Sequence, residues 1–263
     1  MLRALYTAAS GMEAQQLNID TIAHNLANVN TSGFKLRRAQ FQDLLYQNIR
    51  QAGAASTANT DIPVGLQVGL GTKPVATDII FSQGDYSATN NPLDLVIQGN
   101  GFFQIRQVDG TIAYSRNGSF HLNRDGSLVT ADGDFLEPQI TIPQDQVAIT
   151  IGSDGTVSVL QAGQTQPQQV GRIEIALFQN PAGLQSTGKN LFQPTQSSGE
   201  PVTGTPGENG LGTLLSGYTE QSNVSVVEEM VNMIISQRAY EANSKVIRSA
   251  DEMFTEANNV VRA

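Results

Sequence analysis

The chain has 263 residues, two histidines, no cysteine and no tryptophan, and a formal net charge of −9. Without cysteine there are no disulfides, thiolate nucleophiles or cysteine-ligated metals, and the acidic balance argues against a phosphate-binding surface, so no nucleic-acid partner is expected. The acidity is uneven: residues 85–215 hold 12 Asp/Glu against 5 Lys/Arg, as in a solvated body.

Residues 2–30 read as a helix, roughly 40 Å long at 1.5 Å per residue. Leu5, Met12, Ile19 and Leu26 fall seven apart, with Leu2, Ala9 and Ala23 on a flanking row. A 3.5-residue repeat keeps such a stripe facing a partner helix. Thr7, Ser10 and Glu13 interrupt the apolar stretch, which is therefore neither a signal-peptide core nor a membrane span; export, if it occurs, is expected without a cleaved signal. The run Asn28-Val29-Asn30-Thr31-Ser32-Gly33 supplies residues suited to a turn and stops the helix.

Phe41, Leu44, Leu45 and Ile49 suggest a short second helix or an extended arm. Gly65, Gly69 and Gly71 alternate with Val64, Leu66, Val68 and Leu70, the pattern of an exposed strand or hairpin with close backbone approach. From about residue 78 the punctuation quickens. Asn100-Gly101, Asp109-Gly110, Asn117-Gly118, Asp125-Gly126, Asp132-Gly133 and Asp154-Gly155 are hairpin-turn signals. Between and after them lie the β-rich stretches Leu93–Ile97, Phe102–Val108, Ile112–Ser115, Leu128–Thr130, Ile140–Ile142, Val147–Ile151, Val157–Val159 and Val170–Phe178. They predict an antiparallel barrel or sandwich. Residues 194–213, rich in Gly, Pro, Thr and Ser, read as a returning loop.

Residues 222–262 read as the last helix, with Ser222 or Asn223 as N-cap and Glu228-Glu229 near its positive end. Val226, Met233, Tyr240, Ile247, Phe254 and Val261 fall seven apart, beside a second row at Ala239, Val246, Met253 and Val260. Two adjacent rows let one helix meet more than one neighbour. The expected fold is α+β: long coiled-coil-like helices at both ends flank a central antiparallel β-domain. Its parts are an N-terminal axial helix (1–33), a connecting segment (34–77), a β-domain (78–215) and a C-terminal axial helix (216–263). The ten seam residues, Leu5, Met12, Ile19, Leu26, Val226, Met233, Tyr240, Ile247, Phe254 and Val261, are the expected subunit interface.

Chemistry is sparse. His24 and His121 stand on different predicted elements without a partner at metal-ligand spacing. The chain has no nucleophile elbow, P-loop or zinc signature, and Gly99-Asn100-Gly101-Phe102-Phe103 continues into a strand where a dinucleotide cradle needs a helix. No catalytic residue, cofactor or metal is expected, and the protein is read as a non-enzyme. Lys35, Arg37 and Arg38 are expected to be solvated or to form salt bridges between subunits.

Three stretches carry a family resemblance. The first is His24-Asn25-Leu26-Ala27-Asn28-Val29-Asn30-Thr31-Ser32-Gly33-Phe34-Lys35. The second is Pro92-Leu93-Asp94-Leu95-Val96-Ile97-Gln98-Gly99-Asn100-Gly101-Phe102-Phe103, followed by Tyr114-Ser115-Arg116-Asn117-Gly118-Ser119-Phe120. The third comprises Glu220-Gln221-Ser222-Asn223-Val224 and Gln237-Arg238-Ala239-Tyr240-Glu241-Ala242-Asn243-Ser244-Lys245. In order and from end to end they resemble the rod and hook family of bacterial flagella. Leu44-Leu45-Tyr46-Gln47 through Gly65-Leu66-Gln67-Val68-Gly69-Leu70-Gly71-Thr72 resembles a segment of its distal-rod branch.

The resemblance implies an axial structural subunit, exported unfolded by the flagellar type III apparatus and polymerised helically into a shaft that transmits torque across the periplasm. It implies as partners other copies of the chain, the neighbouring proximal rod and hook proteins, the surrounding outer-membrane and peptidoglycan rings, and the export apparatus. A proximal rod or hook subunit is the alternative within the family. Outside it stand a secreted ligand-binding β-domain on a trimerising helical stalk, and a hydrolase built on scattered carboxylates.

Overall fold

The computed structural model describes residues 2–51, 55–57, 60–61, 63–164 and 166–262. The chain divides into two compact units: Met1–Ala27, Arg37–Asp78 and Ser225–Ala263 form the first, Asn28–Leu36 and Ile79–Val224 the second.

The first unit holds two long helices, α1 (Leu2–Ala27) and α2 (Val226–Arg262), which pack side by side. Helices of this length draw their stability from a packed face more than from propensity. α2 begins later than expected. Ser225 is its cap, its carbonyl accepting the Glu229 N–H at 3.0 Å, while Ser222 and Asn223 precede the helix. Glu228 and Glu229 lie in the first turn, where carboxylates favour the positive end of the helix dipole.

The connecting segment is extended, and it contains no helix among the described residues. Arg37–Asp43 pairs with Thr72–Ile79, and Tyr46–Arg50 pairs antiparallel with Leu66–Gly69. Gly71 takes φ +118°, a conformation that a side chain would strain. Gly69 stands opposite Tyr46, where an added Cβ would meet the phenol ring at 3.4 Å, and the Gly71 carbonyl accepts the Leu44 N–H at 2.8 Å.

In the second unit, Phe102–Arg106 is the central strand of the largest sheet. It pairs antiparallel with Ile112–Ser115, Phe135–Glu137 and Ile175–Leu177. Beyond Ile112–Ser115 follow Leu191–Gln193 and Gln185–Gly188. Strand alternation sends successive side chains to opposite faces. Phe103 and Ile105 enter the main core with Leu95, Ile97, Phe120, Leu136, Val157 and Ile173. Phe102 enters a smaller cluster with Tyr114, Phe178, Leu184 and Phe192, where the rings meet edge to face. A separate three-stranded sheet comprises Gln146–Ile151, Thr156–Gln161 and Gln168–Arg172.

Four expectations change in detail. Val170–Phe178 is two strands in different sheets, Gln168–Arg172 and Ile175–Leu177. The expected loop at 194–213 contains Val202–Gly204, paired with Ile175–Leu177. Ile140–Ile142 contributes a single bridge, Ser127 to Thr141. Gly118, expected in a positive-φ turn, is required by space, since an added Cβ would lie on the Leu95 carbonyl oxygen.

Candidate assembly interface

The two helices meet on small and polar groups. Asn18 Nδ2 donates to Ser236 Oγ at 2.8 Å, and Asn25 Nδ2 donates to Glu229 Oε2 at 2.8 Å. At Gly11 an added Cβ would come within 2.9 Å of Asn243 Nδ2, so the backbone of α1 runs close to α2 there. Ala8, Ala14, Thr21 and Ile22 of α1 and Ala250 of α2 are buried. Small side chains allow this close approach, and buried polar ones then need partners: Asn18 and Asn25 find them across the pair, and Thr21 finds one in the Leu17 carbonyl of its own helix.

The heptad rows lie beside this line. Leu5, Met12, Ile19 and Leu26 on α1, and Met233, Ile247 and Phe254 on α2, are half-buried. Val226 and Tyr240 are exposed, and the side chains of Val260 and Val261 fall outside the described set. The coiled-coil expectation set apolar rows face to face. Instead the fully buried positions are mostly small or polar, and the apolar rows flank them.

A broader apolar surface runs along α2. Val227, Met230, Val231, Ile234 and Ile235 are all exposed, Val227 to 73% and Ile235 to 60%. Spacings of three, four, seven and eight put them on one face of a helix. Val246 and Met253 of the expected second row are exposed farther along, and Ala239 is half-buried. A single seven-residue row overlooks the stripe at 227–235; the i, i+3, i+4, i+7 template finds it. The first unit also exposes Leu45, Tyr46, Ile49, Val64 and Leu66 on and beside its hairpin.

Within the second unit the three resembling stretches converge on one carboxylate. Lys35 Nζ lies 2.6 Å from Glu220 Oε1, and Arg116 Nη1 lies 3.6 Å from Glu220 Oε2, with side chains 0%, 3% and 1% exposed for Lys35, Arg116 and Glu220. The Gly84 N–H also donates to Glu220 Oε1, Lys35 donates to the Ser82 carbonyl, and Arg116 donates to the Gly99 carbonyl at 2.7 Å. Burial pushes the Lys35 ammonium and the Arg116 guanidinium below their ordinary pKa values, and Glu220 opposes both shifts. The Gly33 N–H donates to the Glu220 carbonyl, and Asn223 accepts from the Leu36 N–H at 2.7 Å while donating to the Ile80 carbonyl. This corrects the expectation for Lys35, which is neither solvated nor left for a neighbouring subunit. Its charge is used internally, to fasten the segments that precede and follow the β-strands. Arg38 is exposed, 3.9 Å from Asp78.

His24 is on the exposed side of α1 and His121 is exposed in the second unit. Among the described residues no group of three or more His, Cys, Asp or Glu is placed to hold a metal ion, and no helix is long and apolar enough to cross a membrane.

Three family models match. Residues 5–35 match that of the flagella basal body rod protein, residues 96–159 the D1 domain of flagellar hook protein FlgE/F/G, and residues 215–260 the C-terminal region of flagellar basal body rod FlgEFG proteins. The chain is 51% identical to the flagellar basal-body rod protein FlgG of Borreliella burgdorferi, covering 100% of both chains. It is 51% identical to FlgG of Buchnera aphidicola subsp. Schizaphis graminum over 96% of this chain and 97% of that one. The flagellar hook-basal body complex protein FlhP of Bacillus subtilis is 30% identical over 99% and 100%. The matched regions contain most of α1, the central strand, Arg116, Glu220 and most of α2. The chain belongs to the FlgG family of flagellar basal-body rod proteins.

Proposed function

We propose that this chain is a structural subunit of the distal rod, stacking on copies of itself into a helical polymer that carries torque from motor to hook. The observation that carries the reading is the apolar stripe Val227, Met230, Val231, Ile234 and Ile235 on α2, exposed although α2 is already paired with α1. Covering apolar surface contributes roughly 25 cal/mol per Å², so burying these five side chains against a neighbour works in favour of docking. A contact between unlike patches propagates as a ring or helix, which is the geometry a shaft needs.

On this reading the ten expected interface residues act at two levels. The half-buried rows support the helix pair, and the exposed members face neighbouring copies. The proximal rod and hook proteins adjoin the polymer's ends, the peptidoglycan and outer-membrane rings surround it, and the flagellar export apparatus delivers its subunits to the periplasmic tip. Function lies in many repeated contacts, so no single residue is catalytic.

The test is Ile235→Asp in a flagellated host. The purified variant should keep the circular dichroism of the parent, while basal bodies isolated from the cells lack the distal rod in electron micrographs. Distal rods of ordinary length built from the variant would refute the assignment of this stripe.

A further inference from the structure

The polar line between α1 and α2 has a second consequence. Gly11 stands against Asn243, Asn18 against Ser236 and Asn25 against Glu229. Each step runs seven residues forward on α1 and seven back on α2, so the three contacts describe one antiparallel register. Apolar heptads repeat, and a slip by one repeat puts similar side chains opposite each other again. Unlike polar partners do not repeat, which is why a single buried polar contact can fix register.

Asn25 is the most constrained of these residues, being 1% exposed. Its Nδ2 donates to the Arg37 carbonyl at 2.7 Å as well as to Glu229, and its Oδ1 accepts the Arg37 N–H at 2.9 Å. Glu229 is buried, with its other oxygen accepting from Asn232 at 3.3 Å. A slip that brings Asn18 opposite Asn243 carries Glu229 past the end of α1 at Ala27. The opposite slip carries Asn25 beyond the start of α2 at Val226. Either one leaves a buried polar group without its partner, which is unfavourable.

We propose that the Asn25–Glu229 contact is a register key for the helix pair. It selects one alignment of α2 on α1, and with it which residues of the two helices together form the exposed apolar face. The key acts within one chain and does not depend on polymerisation, so it stands or falls separately from the rod assignment.

The absence of cysteine makes disulfide trapping clean. In dilute full-length protein, Asn18→Cys with Ser236→Cys reports the observed register, and Asn18→Cys with Asn243→Cys reports a slip of one heptad. Both probes lack the Asn18 amide, so their ratio reads the Asn25–Glu229 contact. With the key intact, the first bond should form about tenfold more readily than the second, the ratio that about 1.4 kcal/mol gives. Asn25→Leu with Glu229→Leu should bring the two yields close together. Glu229→Gln, which keeps an oxygen for the Asn25 amide, should hold the original ratio and guards against reading a general loss of structure as a slip. Equal yields with the key intact, an unchanged ratio in the leucine variant, or collapse of the ratio in Glu229→Gln would each overturn the proposal.

Discussion

Glu220 is the carboxylate that two buried cations, Lys35 and Arg116, share in the second unit (the β-unit), so its loss should weigh heavily on that unit. Removing one partner of a buried ion pair costs roughly 3–5 kcal/mol, because the remaining charge is left in a poor solvent. Glu220→Gln strands both the Lys35 ammonium and the Arg116 guanidinium. We expect its urea midpoint to fall well below that of the parent, and Lys35→Met in the same chain to recover part of the loss. No recovery would mean that the two charges are not coupled. Gly118→Ala should be comparably damaging by a different route, since its Cβ would overlap a backbone carbonyl that cannot swing aside; the same denaturation curve reads it. Asp154 presents the opposite case, an exposed carboxylate. The Thr156 hydroxyl and N–H donate to it, with Arg172 nearby, and they hold its pKa below the usual 3.8. A folded-state pKa below the unfolded one means that the stabilisation is complete above pH 3.8 and disappears as pH falls through the folded value. Carboxyl-carbon NMR should therefore give Asp154 a midpoint below 3.8, and Thr156→Val should raise it.

At the scale of elements, the hairpin and the helix pair differ in how much they bury. Every residue of Tyr46–Arg50 is exposed, so the hairpin contributes little to any core in the single chain. Deleting residues 46–69 should leave the denaturation midpoint of the β-unit and the export of the protein unchanged, while altering the length or straightness of rods in electron micrographs. Loss of export would reject that division of labour. α2 differs in that one side is committed to α1 through polar contacts and another is left apolar and uncovered. An amphipathic helix normally buries its apolar stripe on its own domain. Here the contact with α1 uses small and polar groups, and much of the apolar surface of α2 stays exposed.

For the whole molecule, the distinction that matters is between open-ended and closed association. A stalked ligand-binding domain would assemble into one closed oligomer of fixed size. Subunits joined through unlike patches instead give a polydisperse series that lengthens with concentration. Sedimentation velocity over a hundredfold range of concentration separates the two, and a single sharp trimer would favour the stalk. Both stripe and hairpin lie in the first unit, whereas the exposed Val108, Ile112, Val147 and Val202 of the β-unit belong to separate strands and turns.

The sequence by itself determined the two terminal helices and the antiparallel β-character of the stretch between them. Heptads marked both helices because an apolar period of 3.5 has no other common explanation, and the Asp-Gly pairs at 109, 125, 132 and 154 marked hairpins, whereas Asn100-Gly101 and Asn117-Gly118 join strands that do not pair with each other. The ordered motifs identified the family. Local pattern did not reveal where each helix face goes. The rows at Leu5–Leu26 and Val226–Phe254 were visible, but their flanking position was not, because only three-dimensional pairing shows that Gly11, Asn18 and Asn25 occupy the contact line. Lys35 appeared to be a surface charge for the same reason: its partner, Glu220, is 185 residues away, and nothing in a linear pattern couples them. Period sets the kind of element; long-range packing alone decides which of its faces is buried and which stays exposed.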